Sequence, residues 1–356
     1  MVIMKYWGEN ILLCAKNKFI IHNKKLSILS VTPADSLKEY KNGNVNLLCI
    51  AISWDQELLA ASFEDKQVMV FDKTMNVVKN FSVGRIPSKM CFSPSNSLII
   101  ADKTGDVFLY DLVHEKIIPT LLLGHNSIVL DVLITPCEKY IITCDRDEKI
   151  RVSLFPNAYN IQSFCLGHSE FVKTLKIVEK YLISAAGDGT IRIWNYLNGK
   201  QLLVINTNAY IDVGDVISFL KDINCEDTGI SAVPITDMQV YSSSNTIFIC
   251  ISLFQYPKLL LFSVDLNLLS INFCKHIQTD IPFSFLLDNE LFVLTTSKIS
   301  CYILKHQNYV ESRTISVSEN YNISLECDQS INQLYKKKFD NVAEYFKAKR
   351  ARQELK

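Results

Sequence analysis

The chain has 356 residues, 48% hydrophobic and 21% charged, with 37 basic and 37 acidic side chains. That is apolar enough for a large core and too apolar for a disordered chain. A formal net charge of zero excludes a molecule whose whole surface draws in nucleic acid or acidic membrane, so any such attraction is local.

From the start, Met1 to Trp7 holds no continuous apolar run, so no secretory signal is expected. Short runs rich in Val, Ile, Phe and Tyr then alternate with turn residues, which is strand composition. They pair as seven hairpins: 11–15 with 19–22, 58–62 with 68–72, 98–101 with 107–111, 140–143 with 150–154, 181–184 with 191–195, 247–252 with 259–263, and 291–295 with 299–304. Lys103-Thr104-Gly105-Asp106 and Gly187-Asp188-Gly189 supply the positive-φ positions that tight β-turns need.

The repeat is regular. Phe71 and Tyr110 are 39 residues apart, Ile150 and Ile191 are 41 apart, and Phe262 and Tyr302 are 40 apart. One interval is longer and carries an insertion near 212–228, where Asp212, Asp215, Asp222, Glu226 and Asp227 face Lys221 alone; a solvated acidic loop is expected. The most apolar stretch, 259–269, is interrupted by Asp265 and too short to span a bilayer, so a soluble protein is expected. From Tyr335 the strand pattern ends. Phe339, Val342 and Phe346 follow helical spacing, and residues 335–356 carry eight Lys/Arg against three Asp/Glu, which predicts a basic amphipathic helix. The eleven cysteines are scattered, with no CxxC, as in an intracellular protein with reduced thiols.

Two blocks define the repeat. Gly124-His125 and Gly167-His168 stand 43 residues apart, and each precedes a strand–turn–strand unit, the second closing on Trp194. A period near 40 with a Gly-His opening and a close like Trp-Asp is the pattern of a β-propeller blade. The expected architecture is all-β: a seven-bladed propeller over 1–330, then a short basic C-terminal helix over 331–356.

Neither histidine has a second ligand at i+3 or i+4, and no cysteine pair has zinc spacing, so no metal site is expected. The propeller pattern instead joins His168, Ser184, Asp188 and Trp194 in a structural hydrogen-bond chain. It gives His125 a shorter version with Thr143 and Asp147, Ser153 standing where the tryptophan would be. Gly187-Asp188-Gly189-Thr190 lacks phosphate-loop spacing and precedes a strand, so it is a turn. No catalytic motif is present, and no cofactor is expected. The five charges Asp145-Arg146-Asp147-Glu148-Lys149, followed by Arg151, exceed what a turn requires. Turn composition favours a solvated turn, and alternating charge suits ion pairing with a partner. The basic tail has three readings: a solvated tail, a stripe docked on the propeller or a partner, and a phosphate-binding patch. Lys349-Arg350-Ala351-Arg352 also has the form of a nuclear-localisation cluster.

The runs LGHNSIVLDV, YIITCDRDEKIRVS, IQSFCLGHSEFV and LISAAGDGTIRIWNYLNGKQL, with GISAVPITDMQ and the terminal YKKKFDNVAEYF, resemble the WD-repeat, non-catalytic subunit of eukaryotic tRNA (guanine-N7) methyltransferase. The resemblance runs from about Leu47 onward. It implies a scaffold in a heterodimer with a catalytic chain that itself holds S-adenosylmethionine and methylates tRNA in the variable loop. It also implies location in the nucleus, with the cytoplasm as a second site. It assigns the charged turn to the catalytic partner through Asp147, Glu148 and Arg151, with Arg146 and Lys149 as neighbours, against the solvated turn that composition favours. It leaves Lys336, Lys337, Lys338, Lys347, Lys349, Arg350 and Arg352 as expected tRNA contacts. A generic WD40 adaptor, such as a ubiquitin-ligase substrate receptor or chromatin scaffold, is the alternative. No blade closes on a literal Trp-Asp pair; the closes read Phe71-Asp72, Tyr110-Asp111 and Trp194-Asn195.

Overall fold

The structure is a computed structural model that describes every residue except 1, 16–17, 34–45, 223–229, 244, 280, 283, 296, 306–307, 317–329 and 336–356. Its strands form seven four-stranded antiparallel sheets, each built from four consecutive strands, and the sheets are the blades of a propeller. The seven hairpins expected from the sequence are the second and third strands of the seven blades. Blade four, for example, uses Tyr140–Asp145 and Ile150–Leu154, and blade five uses Tyr181–Ala186 and Thr190–Asn195.

These middle strands are nearly continuous apolar runs because both of their faces are covered by neighbouring blades. All five residues of Leu59–Phe63 and of Leu98–Asp102 are buried. The outermost strands, such as Val77–Ser82, expose every second side chain. Each hydrophobic cluster draws on two adjacent blades, such as the one joining Ile142, Val152, Leu175 and Trp194 across blades four and five. A single sheet cannot bury its faces alone, so the repeats depend on stacking.

The first strands, including Val2–Trp7, Pro87–Phe92, Val129–Ile134, Val172–Val178 and Ile235–Ser243, line a central channel and pack on one another around the ring. The ring closes without exchange of a strand: blade one is Val2–Pro33 and blade seven is Ser284–Ser316. Closure rests on packing of Met4, Leu13 and Ile20 against Leu286, Phe292 and Ile299. The Met4 amide donates to Ser284 Oγ at 3.2 Å, and Arg313 reaches from the last strand to the Lys24 carbonyl.

The insertion differs from the acidic loop expected. Residues Val213–Asp222 form an α-helix whose Phe219 is buried, edge-on to Phe254 at 5.9 Å between ring centres. The acidic count hid an amphipathic face: Val216, Phe219 and Leu220 pack on the cluster of blades five and six. Glu226 and Asp227 lie outside the described residues. Near the C-terminus, Ser330–Gln333 is a 3-10 turn, and the buried Tyr335 sets its ring edge-on to Phe171 at 5.1 Å. The helix expected beyond Tyr335 lies outside the described residues.

Phe219→Ala should undock the insertion helix. Losing a buried phenylalanine costs about 3–5 kcal/mol, so backbone amides of 216–221 should exchange roughly a hundredfold faster or more. Unchanged protection there would show that the helix is held by something other than Phe219.

Candidate functional site

In blade five the Gly-Asp-Gly turn carries one hydrogen-bonded chain from surface to core. His168 Nδ1 lies 3.0 Å from an Asp188 carboxylate oxygen, and His168 Nε2 lies 2.7 Å from Ser184 Oγ. The Trp194 indole donates to the same Ser184 oxygen at 2.8 Å. One tautomer satisfies every atom: Nδ1–H donates to the carboxylate, and the bare Nε2 accepts from the serine hydroxyl. Burial pushes the His168 pKa below its ordinary value, outweighing the opposing pull of Asp188. Burial also opposes the charge on Asp188, but bonds from His168, Thr190 and the Ser169 amide outweigh it and hold the carboxyl below its usual range. Both shifts describe a neutral imidazole on a carboxylate. Gly189 adopts φ +68°, where a Cβ would collide with the Asn208 side chain.

Blade four solves the same turn differently. His125 Nδ1 meets Asp145 at 2.9 Å and Nε2 meets Thr143 Oγ1 at 2.7 Å, so the partner of His125 is Asp145 and not Asp147. The reason lies in the turn. Asp145 caps it by accepting from the Asp147 and Lys149 amides through Oδ1, which leaves Oδ2 for the histidine. Blade five has Ala186 at the corresponding place, so its carboxylate comes from Asp188, two residues on. Glu148 stands where Gly189 stands and takes φ +70° despite its side chain.

The charged turn is therefore not consumed by the histidine network. Arg146, Asp147 and Glu148 are half-buried and Lys149 is exposed. Arg146 Nε lies 3.9 Å from Asp147. Arg151 is tied into its own blade: Nε donates to Ser153 Oγ at 2.9 Å and Nη2 to the Ala158 carbonyl at 2.9 Å, with a longer bond from Nη1 to Gly124. Ser153, in the place of tryptophan, serves Arg151 rather than the histidine chain.

Directly opposite Arg151 in register is Phe164, on the outermost strand Ile161–Cys165. Phe164 is 41% exposed and Leu166 63%, with Tyr159 and Leu197 also exposed. The strand's outer edge pairs with no strand among the described residues. A charged turn beside an apolar edge strand is the arrangement of a docking face, an apolar centre with a polar rim. Sequence reasoning missed Phe164 and Leu166. The signal was present in FCLGH, where the exposed face of an outermost strand carries large apolar residues.

Lys336, Lys337, Lys338, Lys347, Lys349, Arg350 and Arg352 lie outside the described residues. The chain leading to them is anchored: the Tyr335 hydroxyl donates to the Gly187 carbonyl at 3.4 Å, at the turn of blade five. That turn is the counterpart, one blade away, of the charged turn of blade four. Among the described residues no group of three or more His, Cys, Asp or Glu is placed to hold a metal ion.

Residues 115–283 match the family described as the tRNA methyltransferase TRM82 WD40 domain. The tRNA (guanine-N(7)-)-methyltransferase non-catalytic subunit wuho of Drosophila mojavensis is 42% identical over 170 residues, 46% of this chain and 44% of that protein. The Drosophila melanogaster wuho subunit is 42% identical over 161 residues, 43% of this chain and 38% of its own length. The matched stretch thus spans less than half of these relatives. Among solved structures, the RRP9 WD40 repeats align with TM-score 0.65 at 16% identity, covering 82% of this chain and 86% of that one. A chain of the Mitotic Checkpoint Complex aligns with TM-score 0.65 at 12% identity, over 83% and 86%. At such identities these likenesses show the propeller fold alone.

The blade-five chain predicts a graded response. Trp194→Phe, which removes the indole donor and part of the ring volume, should cost about 1–3 kcal/mol, and Trp194→Ala about 3–5 kcal/mol. A urea midpoint for Trp194→Phe equal to that of wild type would dissociate the hydrogen bond from stability. Acid should act on the same chain. His168 is held neutral with a lowered pKa, so the unfolded chain takes up its proton first, and stability falls as pH drops below about 6.5. The depressed carboxylates of Asp145 and Asp188 add a further loss at lower pH, as each is protonated below about pH 4. Melting curves from pH 7 to 5 should decline less steeply for His168→Gln than for wild type.

Proposed function

We propose that this chain is a non-catalytic subunit of tRNA (guanine-N7) methyltransferase, because residues 115–283 match the TRM82 WD40 domain and proteins so named are similar to it over that stretch. It has no active site of its own. It stabilises a separate catalytic chain, which binds S-adenosylmethionine, and helps to place tRNA for N7 methylation of guanosine in the variable loop. The observation that carries the reading is that the matched residues include both the charged turn of blade four and the apolar edge strand beside it.

On this reading Phe164 and Leu166 form the centre of the contact with the catalytic chain. Asp147, Glu148 and Lys149, with Arg146, form a rim whose alternating charge sets register. Arg151 sits between them, its guanidinium held by Ser153 and Ala158 so that the remaining N–H groups point at a fixed place. The basic tail supplies phosphate contacts to tRNA from Lys336, Lys337, Lys338, Lys347, Lys349, Arg350 and Arg352. The same basic cluster directs the protein to the nucleus, with the cytoplasm as a second location.

Co-purification of the tagged chain from its own cells, followed by a methyl-transfer assay on tRNA, tests the whole. A stoichiometric methyltransferase should accompany the wild type; a stoichiometric partner of another kind would replace this reading with a general WD40 adaptor. Phe164→Asp should weaken the complex by about 2 kcal/mol or more, roughly thirtyfold, while leaving the melting temperature nearly unchanged. Lys149→Glu, at the rim, should act mainly on the association rate and its salt dependence. Arg151→Leu should lower partner binding and propeller stability together, because its blade loses the two bonds at 2.9 Å. Full partner binding by folded Phe164→Asp and Lys149→Glu proteins would move the interface elsewhere.

Neutralising the seven basic tail residues should weaken tRNA binding by the complex and flatten its salt dependence. Every phosphate that the tail no longer neutralises reduces the slope of log K against log salt by about 0.7–0.9. An unchanged slope would assign the tail to packing or to import.

A further inference from the structure

The central channel holds a cavity of about 530 Å³. Alternation along the inner strands sends every second side chain into it. Met4, Met90, Val132, Leu175 and Met238 are buried in the core, so their neighbours on the same strands line the channel. These fall into two rings. The first contains Lys89, Asp131, Thr174 and Asp237. The second, one step further along the strands, contains Lys5, Cys91, Leu133, Lys176 and Gln239, and has two ammonium groups and no carboxylate.

The carboxylates of the first ring are already engaged. Asp131 accepts from the Val132 amide at 3.0 Å and the Leu175 amide at 2.8 Å, and pairs with Lys89 at 3.3 Å. Asp237 accepts from the Met238 amide at 2.8 Å and lies 3.5 Å from the Gln239 amide. Lys176 has only a neutral acceptor, Gln239, at 3.3 Å. Lys5 has no hydrogen-bond or ion-pair partner among the described residues. Burial, then Lys176 and Lys89, pull the Lys5 ammonium down to about 8, and burial lowers Lys176 as well. Like charges gathered on half-buried side chains in a narrow channel are costly unless an anion joins them. Lys5, Lys89 and Lys176 set three ammonium groups against the two aspartates of the lining.

We infer that the central channel is a binding site for a small phosphate-bearing anion of two or more negative charges, held between Lys5, Lys176 and Lys89. The cavity is within the range of small-ligand sites. Ammonium groups on three different blades would converge on one ligand, so the anion would also tie the ring together across its centre. Lys89 keeps Asp131 as a partner and lends its remaining N–H groups, whereas Lys5 and Lys176, until then only near Asp131 and Asp237, gain an anion in direct contact. Thr174 and Gln239 supply neutral polar contacts beside them.

The test uses the full chain with sodium pyrophosphate and inorganic phosphate as probes and sodium sulfate at matched ionic strength as control. Calorimetry should give saturable binding of pyrophosphate at one site, and the melting temperature should rise with its concentration. Lys5→Met and Lys176→Met should each weaken binding by roughly tenfold or more, the scale of one charge-assisted hydrogen bond. Without ligand both variants should melt at or above the wild-type temperature, because each removes a half-buried ammonium that has no ion pair. A lysine with only a structural role would instead lose stability on replacement. The pH dependence has a definite sign. The folded Lys5 sheds its proton above about pH 8 while the unfolded chain holds it to about 10.5, so the penalty fades as pH rises through that window. The stability gap between Lys5→Met and wild type should narrow there, and pyrophosphate binding should weaken. The groups facing Lys5 across the channel are Lys89, Asp131, Lys176 and Asp237, with the thiols Cys49 and Cys91. Selective binding of inorganic phosphate over pyrophosphate would reduce the ligand to a single phosphate group. No saturable binding of either probe, or equal binding by wild type, Lys5→Met and Lys176→Met, would overturn the site.

Discussion

Everything in this molecule depends on one deficit: a four-stranded blade has two faces to bury and cannot bury either alone. Each apolar cluster is shared by two blades, and the first and last blades meet through Met4, Leu13 and Ile20 against Leu286, Phe292 and Ile299. Because no strand is exchanged at that seam, closure rests on side-chain packing, the Met4–Ser284 bond and the reach of Arg313 to Lys24. The hydrophobic effect is non-directional, so it can close a ring whose ends share no ladder. The polar bonds at the seam fix its register.

The same deficit divides the labour among strands. Middle strands, covered on both sides, carry apolar residues at nearly every position and tolerate little else. Innermost strands are covered on one side only, so every second residue is released to face the channel. Outermost strands have a free edge, and in blade four that edge carries Phe164 and Leu166 where a soluble edge strand usually carries charge. Functional chemistry collects where packing leaves residues unconstrained: the turns, the outer edge and the channel.

That division explains what could be read from the sequence. The hairpins were legible because strand alternation and Gly-Asp turns are local signals, and all seven lie within one stretch of chain each. The His168 partners were legible because the Gly-Asp-Gly turn fixes where its carboxylate points. The His125 partner was not, since blade four offers Asp145 and Asp147 two residues apart, and only the turn's own amides decide which one caps and which one is left. The insertion helix was masked by its acidic residues, whose charges hid the spacing of Val216, Phe219 and Leu220. The channel lysines were out of reach for another reason. Lys5, Lys89 and Lys176 lie on three blades, and nothing short of the closed ring brings them together.

A chain of zero net charge can still direct strong fields if its charges are sorted by place. Here several acidic residues of the turns are spent on caps, as Asp72 is on Thr74 and Asn76, and Asp102 on Thr104, Gly105 and Asp106. A carboxylate bound to amides projects little charge outward. Of the channel lysines only Lys89 has an ion pair, with Asp131, and the basic residues of the tail follow a segment pinned at blade five by Tyr335. The anchor matters for range. A charge cluster acts over about a Debye length, roughly 8 Å at physiological salt, so its effect depends on where the chain leaves the propeller. Tyr335, bonded to the turn of blade five and packed in the cluster of blades five and six, sets the point from which the basic tail departs. On the two proposals made above, a protein neutral as a whole offers an anion two distinct addresses, the central channel and the basic tail.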